Sequence, residues 1–286
     1  MALPKNIHDF DLKALNFESK ITSKPEKKPK FTIIYGKGKI GKTTVASYSP
    51  DPIIIPVGRE TGVEEMAVHK FPNYEEMGLI PIDHLFSCFK WIISAEHSRK
   101  TLIIDNTTSY REIVDEDVEK SNIGVDLKAF GKGSALAYPY WMLLLSSIDH
   151  VMKKRDMHVI LLGHEGFYNE NLPDGSYYQK ISINAPRGEN TNVVAALEAR
   201  AHNVLRMTNE ISTVKVKNNF GTVKQIASQG NISRSIYTQP KGNYFAGSRA
   251  DLDDRYDICD SDNDKDLLHL RNNPDIIRLW NDIYRE

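Results

Sequence analysis

Gly36-x4-Gly41-Lys42-Thr43 stands between two apolar runs, inside the stretch FTIIYGKGKIGKTTVASYSPDPIIIPVGRETG that spans residues 31–62. Residues of these types at this spacing can hold phosphate groups. Glycines let the backbone wrap so that successive N–H groups point inward at phosphate oxygens. The helix expected after the loop aims its positive N-terminal end at the same place. Lys42 is then a point charge for β- and γ-phosphates, and Thr43 can ligate Mg2+. The residues expected to touch the nucleotide are Gly36, Lys37, Gly38, Lys39, Ile40, Gly41, Lys42, Thr43 and Thr44. A metal partner is expected downstream in TLIIDN (101–106), where Asp105 ends an apolar strand. Strand ends on one edge of a parallel sheet converge on the ligand. Asp105 would hold Mg2+ through water while Thr43 touches it directly. DNTTS also carries capping letters, so Asp105 as the cap of the next helix is the competing reading.

These groups need a scaffold. FTIIY (31–35), PIIIPV (52–57), TLIID (101–105) and HVILLG (158–163) are short, β-branched and unbroken rather than alternating. That pattern predicts strands buried on both faces of a parallel sheet. Helical patterns separate them. HLFSCFKWIISAEH (84–97) places Leu85, Phe89, Ile92 and Ile93 at helical spacing, and YPYWMLLLSSIDHVMKKR (138–155) ends on Lys153, Lys154 and Arg155. Strand alternating with helix predicts a three-layer, doubly wound α/β sheet. Beyond about residue 165 the pattern weakens. Residues 168–190 read as an extended loop or hairpin turning at Pro-Asp-Gly, and 192–202 as a helix. NVLRMT, STVKVK and RSIYT read as later, partly exposed strands. Residues 273–286 read as an amphipathic helix capped by Asn273, with Pro274 in its first turn and Ile277, Leu279, Trp280 and Ile283 free to pack.

Bulk properties narrow the class. The chain has 286 residues, 40% hydrophobic and 26% charged, with net charge −1. This is an ordinary globular composition without a global positive field for nucleic acid, although a local basic patch remains compatible with it. No run is long enough to span a membrane, and the N-terminus lacks an apolar signal core, so a cytoplasmic protein is expected. Cys88 and Cys259 have no metal-type spacing and are expected to be reduced, structural thiols. The lysine-rich segment 18–30 reads as a mobile lead-in. The expected organisation is an N-terminal segment 1–29, a core 30–210, and strands and helices over 211–286 that continue or append to the core.

Several phosphate-binding classes compete for these letters. Guanine-nucleotide switches need an Asn-Lys-x-Asp reader, which is absent, and KKRD (153–156) is too short for the arginine-rich lid of a small-molecule kinase. GKGKIGKTT resembles the deviant Walker ATPases, in which a lysine at the place of Lys37 reaches a partner's nucleotide. Those proteins run a longer helix after the loop, whereas here only TVASYSPD separates Thr43 from the next strand. The order of motifs is more similar to the RecA-like ATPase core over roughly residues 30–210. More narrowly, the opening stretch resembles the phage-type RecA-like ATPases, relatives of which act with single-strand annealing recombinases. Arg59 stands where that family has an acidic or small residue, and His164 where RecA proteins have Gln.

The resemblance implies roles. Glu60 would accept a proton from, or orient, the water attacking the γ-phosphate, with Glu64 and Glu65 as rivals. Lys42 would act in catalysis as well as binding. His164, in ILLGHE, would report the γ-phosphate to the following loop, with Glu165 as a second candidate base. The loop over about 166–190 holds Phe167, Tyr168, Tyr177, Tyr178, Lys180 and Arg187, a set able to stack on unpaired bases and track a backbone. A basic residue from a neighbouring subunit is implied, with Arg206, Lys241 and Arg249 as candidates, and so is a homo-oligomeric ring or filament. The expected cofactors are ATP and Mg2+. The expected partners are single-stranded DNA and a phage recombination or single-strand-binding protein, in host cytoplasm. A nucleotide-switched protein that recruits another protein without acting on DNA is the second reading.

Overall fold

Alternate side chains of each unbroken apolar run point to opposite sides of one sheet, and each side is covered. The computed structural model describes residues 19, 21–23, 28–60, 62–123, 132–188, 191–210, 213–217, 223–227, 232–261 and 273–284. Strands β1 (Phe31–Gly36), β2 (Pro52–Pro56), β4 (Thr101–Asp105), β5 (His158–Asn171) and β7 (Asn203–Glu210) are joined by parallel ladders. The short β3 (His69–Lys70) adds to β2, also parallel. Ile33, Tyr35, Ile55, Ile104 and Leu161 face one core; Ile34, Ile54, Ile103, Ile160 and Leu205 face the other. Burial on both faces is why these strands show no polar alternation.

The first core is roofed by helices α2 (Pro81–Ser94), α3 (Thr107–Ser121), α4 (Lys132–Arg155) and α5 (Val193–Arg200). α1 (Lys42–Ala46) and α6 (Pro274–Ile283) cover the second. The expected three-layer, mainly parallel α/β architecture is present. α2 begins and ends three residues earlier than its pattern suggested, because Pro81 sits in its first turn. α4 begins six residues earlier and carries Pro139 inside it.

With β10 (Ile232–Tyr237) and β12 (Arg255–Ser261) added, the sheet order is β12-β10-β7-β1-β5-β4-β2-β3. β5 thus separates the strand leading to the glycine loop from the strand ending in Asp105. Its register sets His164 opposite Gly36, and Asp105 lies opposite Pro56. All three strand ends meet on one edge of the sheet.

Part of the chain beyond 211 joins the same sheet. β10 (Ile232–Tyr237) pairs antiparallel with β7, and β12 (Arg255–Ser261) with β10. β8 (Thr213–Lys217) and β9 (Val223–Ala227) form a separate hairpin, and β11 (Gly247–Ser248) pairs with β7. The Asn273 side chain caps α6 by accepting from the Asp275 and Ile276 N–H groups. Leu279, Trp280 and Ile283 are buried as expected, whereas Ile277 is exposed and Ile276 takes its place on the inward face. The Trp280 indole donates to the Val45 carbonyl at 2.9 Å, so α6 rests on α1. A five-residue helix after the loop leaves room on this face, and the C-terminal helix fills it. Cys88 is a buried free thiol whose pKa burial raises to about 12; the Cys259 side chain lies outside the described residues, as do residues 24–27 of the lead-in.

Candidate functional site

The glycine loop is held from below and open above. Ile40 is buried in the second core, while Lys37, Gly38 and Lys39 are exposed. Gly41 has φ 99°, a left-handed conformation that a side chain disfavours, and the chain enters α1 directly after it. A Cβ on Gly36 would lie 2.1 Å from the Met207 carbonyl oxygen, so β7 passes where any side chain would need to be. α1 has too few turns for a strong macrodipole, which leaves the loop amides and Lys42 as the main positive groups.

Lys42 is buried, and its ammonium donates to the carbonyls of Lys37 at 2.7 Å and Gly36 at 3.3 Å. Burial lowers its pKa, opposed by Asp105, Glu60 and Glu165. Thr43 Oγ1 donates to Asp105 Oδ2 at 2.7 Å. Asp105 is 3% exposed, and burial raises its carboxyl to about 6 against the Thr43 hydrogen bond. The competing role, capping the following helix, falls to its neighbour: Asn106 Oδ1 accepts from the Thr108 and Ser109 N–H groups at 2.9 and 3.1 Å. Among the described residues no group of three or more His, Cys, Asp or Glu side chains could hold a metal ion. A cation here would therefore take Thr43 and Asp105 together with nucleotide oxygens and water, an oxygen set suited to Mg2+.

Glu60 lies in the turn after β2. Its Oε2 accepts from Asn106 Nδ2 at 2.7 Å and its Oε1 from Gly62 N–H at 3.0 Å. Glu64 and Glu65 are exposed. The His164 Nε2 is the nearest heavy atom to the position a Cβ on Gly38 would take, at 3.9 Å. Burial, then the nearby Lys42 charge, lower the His164 pKa, which favours the neutral ring. Lys42, Thr43, Glu60, Asp105 and His164 thus converge on one edge of the sheet. Glu165 turns to the opposite face and pairs with Arg206 at 3.5 Å.

Other expectations are placed differently. Arg206 is held within its own chain, by Glu165 and over the Tyr244 ring at 4.6 Å. Arg249 donates to the Ala199 carbonyl, and its backbone N–H bonds to His202, whose own N–H bonds to Phe31 at the far end of the sheet. Lys241 is exposed. The polar segment after His164 is a hairpin of β5 and β6 (Tyr177–Ile183). Its cations are partnered: Lys180 with Glu170 and Glu198, and Arg187 with Glu170. The Tyr168 hydroxyl donates to backbone carbonyls at Ile183 and Ala185 and is structural. Phe167, Tyr177 and Tyr178 remain exposed. Between this hairpin and α3 opens a cavity of about 790 Å3, lined in part by Arg111, Phe167, Asn169, Asn184, Arg187 and Asn192. Arg111 donates to Asn184 Oδ1 at 3.4 Å, and the Asn184 N–H bonds to the His164 carbonyl.

A glycine loop with its buried lysine, followed by a threonine whose hydroxyl donates to a strand-end aspartate of the same parallel sheet, defines the class of P-loop nucleotide-binding ATPases. A family model described as "AAA domain" matches residues 28–250, and the chain belongs to that family. No curated protein matches the chain. Among solved structures, the flagellar accessory protein FlaH from Methanocaldococcus jannaschii is similar at 10% identity and a TM-score of 0.31, over 77% of this chain and 90% of that one. Among the described residues no helix is long and apolar enough to cross a membrane.

Proposed function

We propose that the protein binds ATP with Mg2+ and hydrolyses it, and that turnover is coupled to single-stranded DNA. The Thr43–Asp105 hydrogen bond carries the nucleotide part of this reading, because it brings a hydroxyl and a carboxylate together beside the buried Lys42. The loop amides and Lys42 hold the β- and γ-phosphates, and Thr43 and Asp105 hold the cation. Glu60 orients the attacking water and accepts its proton; His164 hydrogen-bonds the γ-phosphate. The lowered His164 pKa suits a neutral donor there, since its tautomer can present an N–H without adding charge.

The cavity beside the hairpin supports the DNA part. Arg111 and exposed Phe167 line it, Tyr177 and Tyr178 stand nearby on the hairpin, and Asn184 ties it to His164. Stacking on such aromatics tolerates any sequence. The same reading places the chain in phage DNA recombination, annealing or repair, in keeping with the resemblance of residues 31–62. It includes a cytoplasmic homo-oligomeric ring or filament, a recombination or single-strand-binding partner, and a core over 30–210 continued by 211–286. A second reading, a nucleotide-switched protein that recruits a protein partner, is favoured by the hairpin cations, which are already paired with Glu170 and Glu198.

ATP hydrolysis measured with and without single-stranded DNA separates the two, beside a sizing column run with a nonhydrolysable ATP analogue. DNA-stimulated turnover, lost in Phe167→Ala with Tyr177→Ala and Tyr178→Ala, supports the first. Turnover indifferent to nucleic acid, with a protein bound in one nucleotide state, supports the second. Glu60→Gln should cut hydrolysis to a slow residual rate and retain ATP binding; normal turnover in that variant removes Glu60 as the base.

A further inference from the structure

Asn106 had no place in the chemistry read from sequence, where it was only one of several capping letters. In the fold it is 3% exposed and uses both ends of its amide. The carbonyl oxygen caps α3 through Thr108 and Ser109, and the NH2 group donates to Glu60 Oε2 at 2.7 Å. The capping role requires only an acceptor, which Ser or Asp supplies equally well. The amide donor toward Glu60 is a separate property, which neither Ser nor Asp reproduces in the same geometry.

We infer that Asn106 is a positioning residue for the water-activating carboxylate, an inference that rests on the assignment of Glu60 above. Glu60 sits in a turn, outside any helix or strand, and two hydrogen bonds fix its carboxylate. One comes from Gly62 N–H in the same turn. The other, from Asn106, ties it to the strand end that carries Asp105. A turn carboxylate is thereby placed relative to the metal-binding edge of the sheet by a side chain one residue from Asp105. The remaining acceptor sites of the carboxylate stay available to a water. Because the amide is neutral, it orients Glu60 without supplying a proton and without a compensating charge that would weaken it as a base. The same side chain is anchored by α3, whose next turn carries Arg111 and its bond to Asn184. The base is therefore braced by the helix that also forms one wall of the cavity.

The test is steady-state ATP hydrolysis by the full-length protein carrying Asn106→Ser, Asn106→Asp, Glu60→Gln or Asn106→Ser with Glu60→Gln. Ser and Asp keep the cap, so folding is retained and checked by thermal unfolding. The expected result is a kcat reduced about 10- to 100-fold in Asn106→Ser, with the KM for ATP within about twofold of wild type. Asn106→Asp should fall at least as far, since it sets a like charge against Glu60. The double variant should be no slower than Glu60→Gln alone, because positioning is lost once the base is gone. Wild-type kcat in Asn106→Ser beside a strongly slowed Glu60→Gln overturns the inference and leaves Glu60 as the base. Normal turnover in Glu60→Gln overturns both. A double variant clearly slower than Glu60→Gln also overturns it, since Asn106 would then act independently of Glu60.

Discussion

A methyl group placed on Gly36 has nowhere to go. Its Cβ would lie 2.1 Å from the Met207 carbonyl oxygen, 3.1 Å from the Met207 carbonyl carbon and 3.5 Å from the Met207 Cβ. An unstrained carbon–oxygen contact needs about 1 Å more. β1 and β7 would have to separate where both are hydrogen-bonded and buried, and the nearest obstacle is backbone, which cannot rotate aside. Overpacking of a rigid core costs about 1–3 kcal/mol, and backbone against backbone belongs at the top of that range. The restriction of the unfolded chain by Gly→Ala returns about 0.5–1 kcal/mol. Gly36→Ala should therefore lose about 2–2.5 kcal/mol, a factor of about 30–70 in the folding equilibrium. Gly38→Ala, two residues on in the same loop, is the control. Its added Cβ meets nothing closer than His164 Nε2 at 3.9 Å, so nucleotide-free stability should stay within about 0.5 kcal/mol of wild type. Urea unfolding of nucleotide-free protein, followed by fluorescence of the buried Trp141 and Trp280, reads both. The Gly36→Ala midpoint should fall by about 1 M and the Gly38→Ala midpoint should not move. A Gly36→Ala midpoint within about 0.2 M of wild type would refute the packing reasoning.

Trp280→Ala removes a buried indole and its hydrogen bond to the Val45 carbonyl near the end of α1; a loss of about 3–5 kcal/mol is expected in denaturant unfolding, and an unchanged midpoint would separate α6 from the second core. Thr43→Ala and Asp105→Asn should each reduce nucleotide affinity in Mg2+ to the level seen in EDTA, with no further loss in EDTA; calorimetric titration in both buffers decides whether these two side chains serve the cation. Stability should fall in mild acid. Burial lowers the His158 pKa to about 4, and its Nδ1 accepts the Lys30 N–H at 2.9 Å, a bond the protonated ring cannot make. An unfolded histidine titrates near about 6.5, so between that pH and about 4 the unfolded chain binds a proton that the folded one does not. The contribution is complete above the higher value and is lost as pH falls to the lower. Discounted for partial solvent access, it is about 2 kcal/mol. His202, shifted the same way, adds to the slope. His158→Gln should flatten unfolding free energy against pH over this window, and an undiminished slope would assign the loss to other groups.

Four of the parallel strands, β1, β2, β4 and β5, were legible because burial on both faces leaves unbroken apolar runs, a local signature. Asn273 and Pro274 marked the last helix for an equally local reason: the cap and first-turn positions lie within a few residues of one another. Leu279, Trp280 and Ile283 of its inward face were read correctly, but Ile277 was taken in place of Ile276, since both are apolar and only the packing partner distinguishes them. The hairpin was legible from Pro-Asp-Gly, but not the pairing of Lys180 and Arg187 with Glu170 and Glu198. Those carboxylates read as ordinary polar residues until the strands are in register and α5, which carries Glu198, packs beside them. Arg206 offered itself as a cation for a neighbouring subunit; the register that brings β7 beside β1 shows it occupied by Glu165 and Tyr244.

By itself, the sequence determined the phosphate loop and the residue types that serve it, because strand, glycine turn, lysine and threonine are contiguous and their spacing is the chemistry. Tertiary structure alone decided what stands around that loop. It inserted β5 between β1 and β4, so that His164 faces Gly36. It joined Glu60 to Asn106 across the chain, leaving Glu64 and Glu65 in solvent. It also laid the C-terminal helix over the short α1, through a hydrogen bond between residues 235 positions apart. Contacts of that range are set by which strands pair and which faces must be covered, and neither leaves a mark in the neighbouring letters.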